Sequence, residues 1–343
     1  MRSAIIGVTG GRARAHADAY RRIDDAELVA VSARTSDAAD AFAAGYSGVD
    51  PFTDHRQMLD AVRPELVHVS TPPSARLAIL RDCDEAGVAA VILEKPVAID
   101  REDLEELAAF ERRTRMRVAV NHQLHFHRAM ARMKESVGAW AGPIDIYASA
   151  GMNAAYQGTH LMQSARDLLS SEVTDVTAEA EGSNGLEPSP AAHYAPDDLE
   201  ARFHTAAGNI RLHCGVGAPR VPDHRADGIH LHKRVKATSA AGDRFEWNMW
   251  SWQCDAEGRR SGGDLDWKTE DAHAQAALTR SVVAWNGVEQ HPLELVRALD
   301  EYSLILRAYA SAADVDDAEA VLPQLRRALQ APSRPDRRLT DVS

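Results

Sequence analysis

The sequence predicts an α/β protein that opens with a doubly wound parallel sheet and continues into a strand-rich second half. Three observations carry this. Short apolar runs recur at residues 3–6, 27–33, 66–70, 89–93 and 117–120, and several lack the polar alternation of a half-exposed strand, as strands buried on both faces do. Helical patterns separate most of them, which is the rhythm of βαβ units. From Asp145 onward apolar and polar residues alternate instead, the pattern of half-buried strands. A chain of 343 residues is expected to form two domains. We place them at 1–122 and 123–330, with a polar tail over 331–343.

Composition narrows the function classes. Apolar residues make up 45% and charged residues 26%, as in ordinary soluble globular proteins. A formal net charge of −12 argues against a nucleic-acid surface and an anionic membrane partner. No apolar run approaches the roughly 20 residues that span a bilayer. Met1 leads straight into a strand, which argues against a signal peptide. Cys83, Cys214 and Cys254 are odd in number and far apart, and read as reduced thiols of a cytoplasmic protein.

The first strand is followed by Gly7-Val8-Thr9-Gly10-Gly11-Arg12-Ala13 and a helix through about Tyr20. Glycines in such a turn let the backbone approach a pyrophosphate seated at the helix N-terminus. Gly7, Gly10 and Ala13 fit the usual glycine spacing with one extra residue after Gly7, so a purely structural turn stays open. The second strand ends Val31-Ser32-Ala33-Arg34-Thr35. The acid that binds a ribose 2′-hydroxyl in NAD enzymes is absent. Ser32, Arg34 and Thr35 suit a 2′-phosphate, which favours NADP over NAD; a solvated Arg34 is the plainer alternative. Residues 55–62 read as a short helix. The third strand ends in Thr71-Pro72-Pro73, with Ser74 as a candidate N-cap for the next helix. The following strand stops at Glu94-Lys95-Pro96. Pro96 lacks the amide hydrogen a central strand needs, so Lys95 sits at the carboxyl edge, where open α/β sheets bind ligands. Asp100 is a candidate cap for the next helix, with Glu102 and Asp103 in its first turn.

Together, Arg14-Ala15-His16 after the glycine turn, Thr71-Pro72-Pro73, Glu94-Lys95-Pro96, Gly158-Thr159-His160, Arg166-Asp167-Leu168-Leu169 and Ala284-Trp285-Asn286-Gly287 resemble the glucose–fructose oxidoreductase/inositol dehydrogenase/MocA family. The resemblance is strong over 1–125 and weak through the middle of the second domain. It implies a Rossmann domain, then an α/β domain with a large, open, mainly antiparallel sheet whose outer face forms a homodimer or homotetramer contact, and an active site between the domains. It implies a helix over 293–313 that packs back on the Rossmann domain. It further implies hydride exchange between a nicotinamide cofactor and a carbinol of a sugar, sugar derivative or cyclitol. Lys95 matches the family lysine that bonds the reacting oxygen and the cofactor ribose, and a cis bond to Pro96 is expected. Gly7, Thr9, Gly10, Gly11, Arg12, Ala13, Thr71, Pro72, Glu94 and Lys95 become candidate cofactor residues, with Ser32, Arg34 and Thr35.

Alcohol oxidation releases a hydroxyl proton, and histidine is a natural base near neutral pH. His160 matches the histidine of the family's Asp-x-x-x-His, but Tyr156 stands where the aspartate would be. A tyrosine offers a neutral hydrogen bond only. Three readings stay open: His160 as base with Tyr156 as relay or substrate donor, Tyr156 as a shape residue, or a site that has lost dehydrogenase chemistry. Gln123 and His125 are candidate substrate contacts; packing histidines are the alternative. His122, His125 and His127 complete no recognised metal spacing. Beyond them, 182–197 reads as a loop, 229–235 as a strand and 318–329 as a helix. In 245–252, alternation puts Phe245, Trp247 and Met249 on one face and Trp250 and Trp252 on the other, suited to an oligomer contact or to sugar stacking.

The leading expectation is an NAD(P)-dependent sugar or cyclitol dehydrogenase or reductase. A redox-neutral glycosidase or epimerase with retained cofactor, and a non-catalytic cofactor-binding regulator, are the alternatives.

Overall fold

A computed structural model of the protein describes residues 1–98, 101–181, 196, 198–219 and 232–312. The chain divides into two compact units. The first joins Met1–Ala131 to Trp267–Tyr302, and the second joins the described residues of 132–266 to Ser303–Ala312.

In the first unit, β1 (Arg2–Ile6), β2 (Glu27–Ser32), β3 (Asp50–Phe52), β4 (Leu66–Val69), β5 (Ala90–Leu93) and β6 (Arg117–Val120) form one six-stranded sheet in the order β3-β2-β1-β4-β5-β6. Every pairing is parallel. The helices between them are α1 (Gly11–Ala19), α2 (Ser36–Ala43), α3 (His55–Val62), α4 (Arg76–Glu85) and α5 (Arg101–Glu111). The order reverses between β1 and β4, and the carboxyl ends of strands at such a reversal open a crevice. Strands β4 and β5 are buried at every position, which explains why they read as apolar runs without alternation.

Two elements stand beyond the sequence reading. Helix α2 is alanine-rich and starts where the Thr35 hydroxyl accepts from the Ala38 amide. Strand β3 carries Pro51, which an edge strand tolerates because no further strand needs its missing amide. Ser74 does not cap α4. It lies inside a 3-10 turn over Pro73–Ala75, started by the two prolines, and Ala75 precedes α4 with no side-chain cap. The expected cap Asp100 lies outside the described residues.

The chain returns to this unit after the second sheet. Helix α8 (Trp267–Ala284) packs against α1 and β5. Beyond it, Val120 N–H donates to the Leu293 carbonyl at 2.8 Å, and Ala119 bridges Glu294. The β6 edge is thereby partly covered, which protects its amides. Leu66, Ala90, Ile92, Ala119, Leu278 and Val282 form one buried cluster across this join.

The second unit is built on an eight-stranded sheet, and α6 (Arg128–Gly138) leads into it. Its strands are β7 (Ile144–Ala150), β8 (Val173–Glu181), β9 (Asp198–Thr205), β10 (Gly208–Gly215), β11 (Lys233–Ser239), β12 (Arg244–Asn248), β13 (Ser251–Ala256) and β14 (Arg259–Asp264). They run in the order β14-β13-β12-β11-β7-β10-β9-β8. All pairs are antiparallel except β7 with β10. Helix α7 (Ala154–Leu169) covers β7 and β10, and α9 (Leu295–Ala312) closes the described chain.

The aromatic stretch corrects an expectation. Residues 245–252 are not one strand but a hairpin: the Asn248 side chain accepts from the Trp250 and Ser251 amides, both at 2.9 Å, and turns the chain. Trp252 therefore pairs with Trp247 and stacks on Phe245 with ring centroids 5.6 Å apart. Trp247 and Phe245 are fully buried, so they serve the core, not an outer contact. The predicted strand over 229–235 is described only from His232; the loop over 182–197, apart from Pro196, and the helix over 318–329 lie outside the described residues. Among the described residues no helix is long and apolar enough to cross a membrane.

Candidate active site

The turn between β1 and α1 is shaped by what its residues lack. Gly7 has φ +90°, and a Cβ there would lie 2.8 Å from Thr71 Cγ2 and 3.0 Å from the Ser70 carbonyl oxygen. Its amide donates to the Ser32 carbonyl at 2.9 Å, which ties the turn to the end of β2. Gly10 precedes α1 without a side-chain cap, and the first turn of α1 holds no acid. A Cβ on Gly11 would meet nothing within 4 Å. Thr9 is exposed beside them, whereas Ala13 is fully buried under the helix. Thr71 Oγ1 across the turn is buried with no hydrogen-bond partner among the described residues. A helix start with exposed amides, no side chain in the way and an unclaimed hydroxyl opposite fits a dinucleotide pyrophosphate.

At the end of β2, Ser32 is buried and Arg34 exposed, while Thr35 is spent on capping α2. Arg12 is also committed. It donates to Asp271 at 2.8 Å and to Gln275 at 2.5 Å, both on α8.

Strand β5 delivers Glu94 and Lys95. The Glu94 amide donates to the Val69 carbonyl at 3.0 Å, so the parallel ladder persists one residue past the strand. The Lys95–Pro96 bond is cis, as the resemblance implies. Glu94 is buried and points back into the unit. His16 Nε2 lies 2.8 Å from Glu94 Oε1, and Asn121 Nδ2 donates to the same oxygen at 2.5 Å. Burial opposes a charge on Glu94, but the hydrogen bond and electrostatic interaction with His16, then the Arg12 and Lys95 charges, outweigh it and hold the carboxyl well below the ordinary carboxylate range. Lys95 is only partly exposed. Burial pushes its ammonium down to about 8; Glu94 opposes that shift, and Arg12 and Arg76 add to it.

Arg76 was not foreseen. It is buried at the start of α4. Its Nε and Nη2 donate to the Thr71 carbonyl at 3.0 and 2.7 Å, and its Nη1 donates to the Pro96 carbonyl. One guanidinium thus clamps the loop after β4 to the loop after β5. The sequence did carry a signal, because a cation in a helix's first turn opposes the helix dipole. Asp271 was missed as well. It receives Gln123 Nε2 at 2.9 Å in addition to Arg12, so Gln123, a candidate substrate contact, is held by α8.

The histidines after β6 have separate neighbours. His122 Nδ1 lies 3.4 Å from the buried Glu301. His125 sits edge-on to Phe126, and His127 stacks on Trp267 with centroids 5.7 Å apart.

Tyr156 and His160 belong to the second unit. They stand four residues apart on α7 and so share a face. The Asn153 side chain caps this helix by accepting from the Tyr156 amide at 3.2 Å. Tyr156 is partly exposed and His160 buried. Between them, a Cβ on Gly158 would come within 3.2 Å of Ile305 Cδ1, so the glycine allows α7 to pack closely on α9.

Within the first unit the turn at 7–13, residues 32–35, Thr71, Pro72, Glu94 and Lys95 gather at the carboxyl ends of the parallel strands, the arrangement of a dinucleotide-binding domain. Residues 1–122 match the model of the Gfo/Idh/MocA oxidoreductase family, described as carrying an NAD-binding Rossmann fold. No curated protein matches the chain by sequence. Solved structures do match in fold. An oxidoreductase from Agrobacterium radiobacter, in complex with NAD+, L-tartaric acid and magnesium, is 13% identical, with a TM-score of 0.74 over 94% of this chain and 99% of its own. An inositol dehydrogenase homolog from Azotobacter vinelandii, complexed with NAD+, is 15% identical, with a TM-score of 0.72 over 92% of this chain and 95% of its own. A levoglucosan dehydrogenase in complex with NADH and levoglucosan is 15% identical, with a TM-score of 0.73 over 92% and 97%. At these identities the likeness establishes a shared fold.

Proposed function

We propose that the protein is an NAD(P)-dependent oxidoreductase that moves a hydride between the cofactor and a secondary alcohol or ketone of a sugar, sugar derivative or cyclitol. The observation that carries this reading is Lys95, a partly exposed ammonium at the carboxyl end of β5 with the ionised Glu94 buried behind it. The fold relatives solved with levoglucosan and named for inositol support the substrate class. NAD(P), when bound, supplies the hydride donor or acceptor.

Gly7, Thr9, Gly10, Gly11 and Ala13 form the pyrophosphate turn, with Thr71 and Pro72 opposite. Ser32 and Arg34 meet the ribose end, and the missing acid there favours NADP. Lys95 donates a hydrogen bond to the reacting oxygen and stabilises its developing charge. His160 takes the hydroxyl proton, with Tyr156 beside it as a neutral hydrogen-bonding partner. Gln123 and His125 are proposed contacts for further hydroxyls. The open sheet of the second unit is proposed as the contact of a homodimer or homotetramer.

Fluorescence titration with NADPH and NADH in parallel, followed by turnover over a panel of sugars and cyclitols, tests the reading. Preferential NADPH binding and net cofactor turnover are expected. A preference for NADH would overturn the cofactor choice alone. Product formation without net cofactor change would replace the reaction with the redox-neutral one. Binding of neither nucleotide, in protein purified free of nucleotide, would sink the reading altogether.

A further inference from the structure

Behind Glu94 a line of polar side chains crosses the interior of the first unit. His16 Nε2 lies 2.8 Å from Glu94 Oε1, His16 Nδ1 lies 2.9 Å from His68 Nδ1, and His68 Nε2 lies 2.6 Å from Tyr20 Oη. His16 and His68 are fully buried, and Tyr20 is partly exposed at the far end. The rings are packed as well as bonded: the imidazole centroids are 4.5 Å apart, and the phenol meets His68 edge-on at 5.5 Å. Burying two imidazoles where apolar side chains would pack costs free energy unless every nitrogen is satisfied.

The hydrogens can be assigned from the acceptor end. An ionised carboxylate only accepts, so His16 Nε2 carries the hydrogen that points at Glu94. A neutral His16 then presents a bare Nδ1, which must receive its hydrogen from His68 Nδ1. That leaves His68 Nε2 bare, and the Tyr20 hydroxyl donates into it. All the hydrogens point toward Glu94, and neither imidazole needs a charge. Burial, with His16 adjacent, holds His68 well below its ordinary value and keeps it neutral. Arg12 of α1, its Nε 4.0 Å away, and Asn121 after β6 also face this carboxylate, and the charges of Arg76 of α4 and of Lys95 act on it.

We propose that Tyr20, His68 and His16 are positioning residues for Lys95, acting as a hydrogen-bonded relay through the Glu94 carboxylate. The relay keeps Glu94 ionised and aimed inward, and the carboxylate in turn sustains the lysine's charge. The functional consequence rests on the oxidoreductase reading, but the electrostatic coupling does not. Without the His16 donor the buried carboxylate is held less firmly in this position, and the counter-charge that opposes the desolvation of Lys95 is weakened.

The test follows the Lys95 side chain directly by carbon-13 NMR, in full-length protein grown on labelled lysine, with Lys95→Arg to assign the signal. The wild-type ammonium should titrate near 8. His16→Leu should lower that midpoint by about one pH unit. His68→Leu and Tyr20→Phe should lower it by successively smaller amounts, and His16→Gln, whose amide can still donate to Glu94, should restore most of the loss. A wild-type midpoint preserved in folded His16→Leu overturns the relay. If that variant does not fold, unchanged midpoints in both His68→Leu and Tyr20→Phe do so. Midpoints that shift as expected in a protein with no hydride transfer would leave the relay standing and remove only the oxidoreductase reading.

Discussion

An ammonium lowered to about 8 by burial changes charge close to neutral pH. In the proposed ketone reduction Lys95 must be protonated to donate to the oxygen. Its folded value lies below the ordinary lysine value, so the protonated form is full below about pH 7, half gone near 8 and lost above. The reduction rate at saturating cofactor is therefore expected to fall as pH rises through about 8. Lys95→Met should lower it by about 10²–10⁴ and remove that alkaline limb. A wild-type profile flat from pH 7 to 9 would contradict the role. Lys95 was legible because a buried run ending in proline announces a strand end. Arg76 and Asn121 were harder to read, because the Pro96 carbonyl and the Glu94 carboxylate are brought near them only by the parallel sheet. The arginine at a helix start was the one local anomaly.

At the scale of elements, the clamp made by Arg76 decides how rigidly the loops after β4 and β5 are held together. The guanidinium is buried, its pKa lowered by burial to about 10, and it bonds two main-chain carbonyls. Arg76→Leu strands both acceptors in the interior and should cost about 3 kcal/mol. The check is the midpoint of urea unfolding, and a loss below about 0.5 kcal/mol would mean the carbonyls find water instead. Helix α7 poses a different question, because Tyr156 and His160 are set by its cap and its pitch. His160→Ala should reduce alcohol oxidation by at least about 10² while leaving the dissociation constant for the cofactor nearly unchanged. Near-normal turnover would show that the proton leaves by another route. Helices and strands with strong local signals, such as α3 and β4, were legible to within a residue or two. The hairpin of β12 and β13 was not: alternation holds on both sides of it and breaks only at the adjacent Met249 and Trp250, where the Asn248 side chain, bonded to two following amides, reverses the chain. Strand β3 escaped because three residues with a proline carry no periodicity.

For the whole molecule, strand order depends on which distant segments meet, and the parallel pairing of β7 with β10 inside an antiparallel sheet has no local signature. The alternation along β9 and β10 was legible, and it leaves one face of the eight-stranded sheet under α7 and the other polar. On that second face Arg211 pairs with Glu200 at 2.7 Å and lies over the Tyr147 ring, His213 meets Asp198 at 2.8 Å, and Arg234 meets Glu246 at 2.5 Å. Both signs of charge stand side by side, so a two-fold axis can bring each group against its complement on a second copy. The proposed assembly is therefore expected to be salt-sensitive, since partly exposed ion pairs are screened. Light scattering at tens of micromolar protein should give a multiple of the mass of one chain at low ionic strength. Arg211→Glu, which places like charge against Glu200, should shift it to one chain without unfolding the protein. A single-chain mass for the wild type under those conditions would remove the sheet face as a contact and leave its ion pairs as ordinary surface electrostatics.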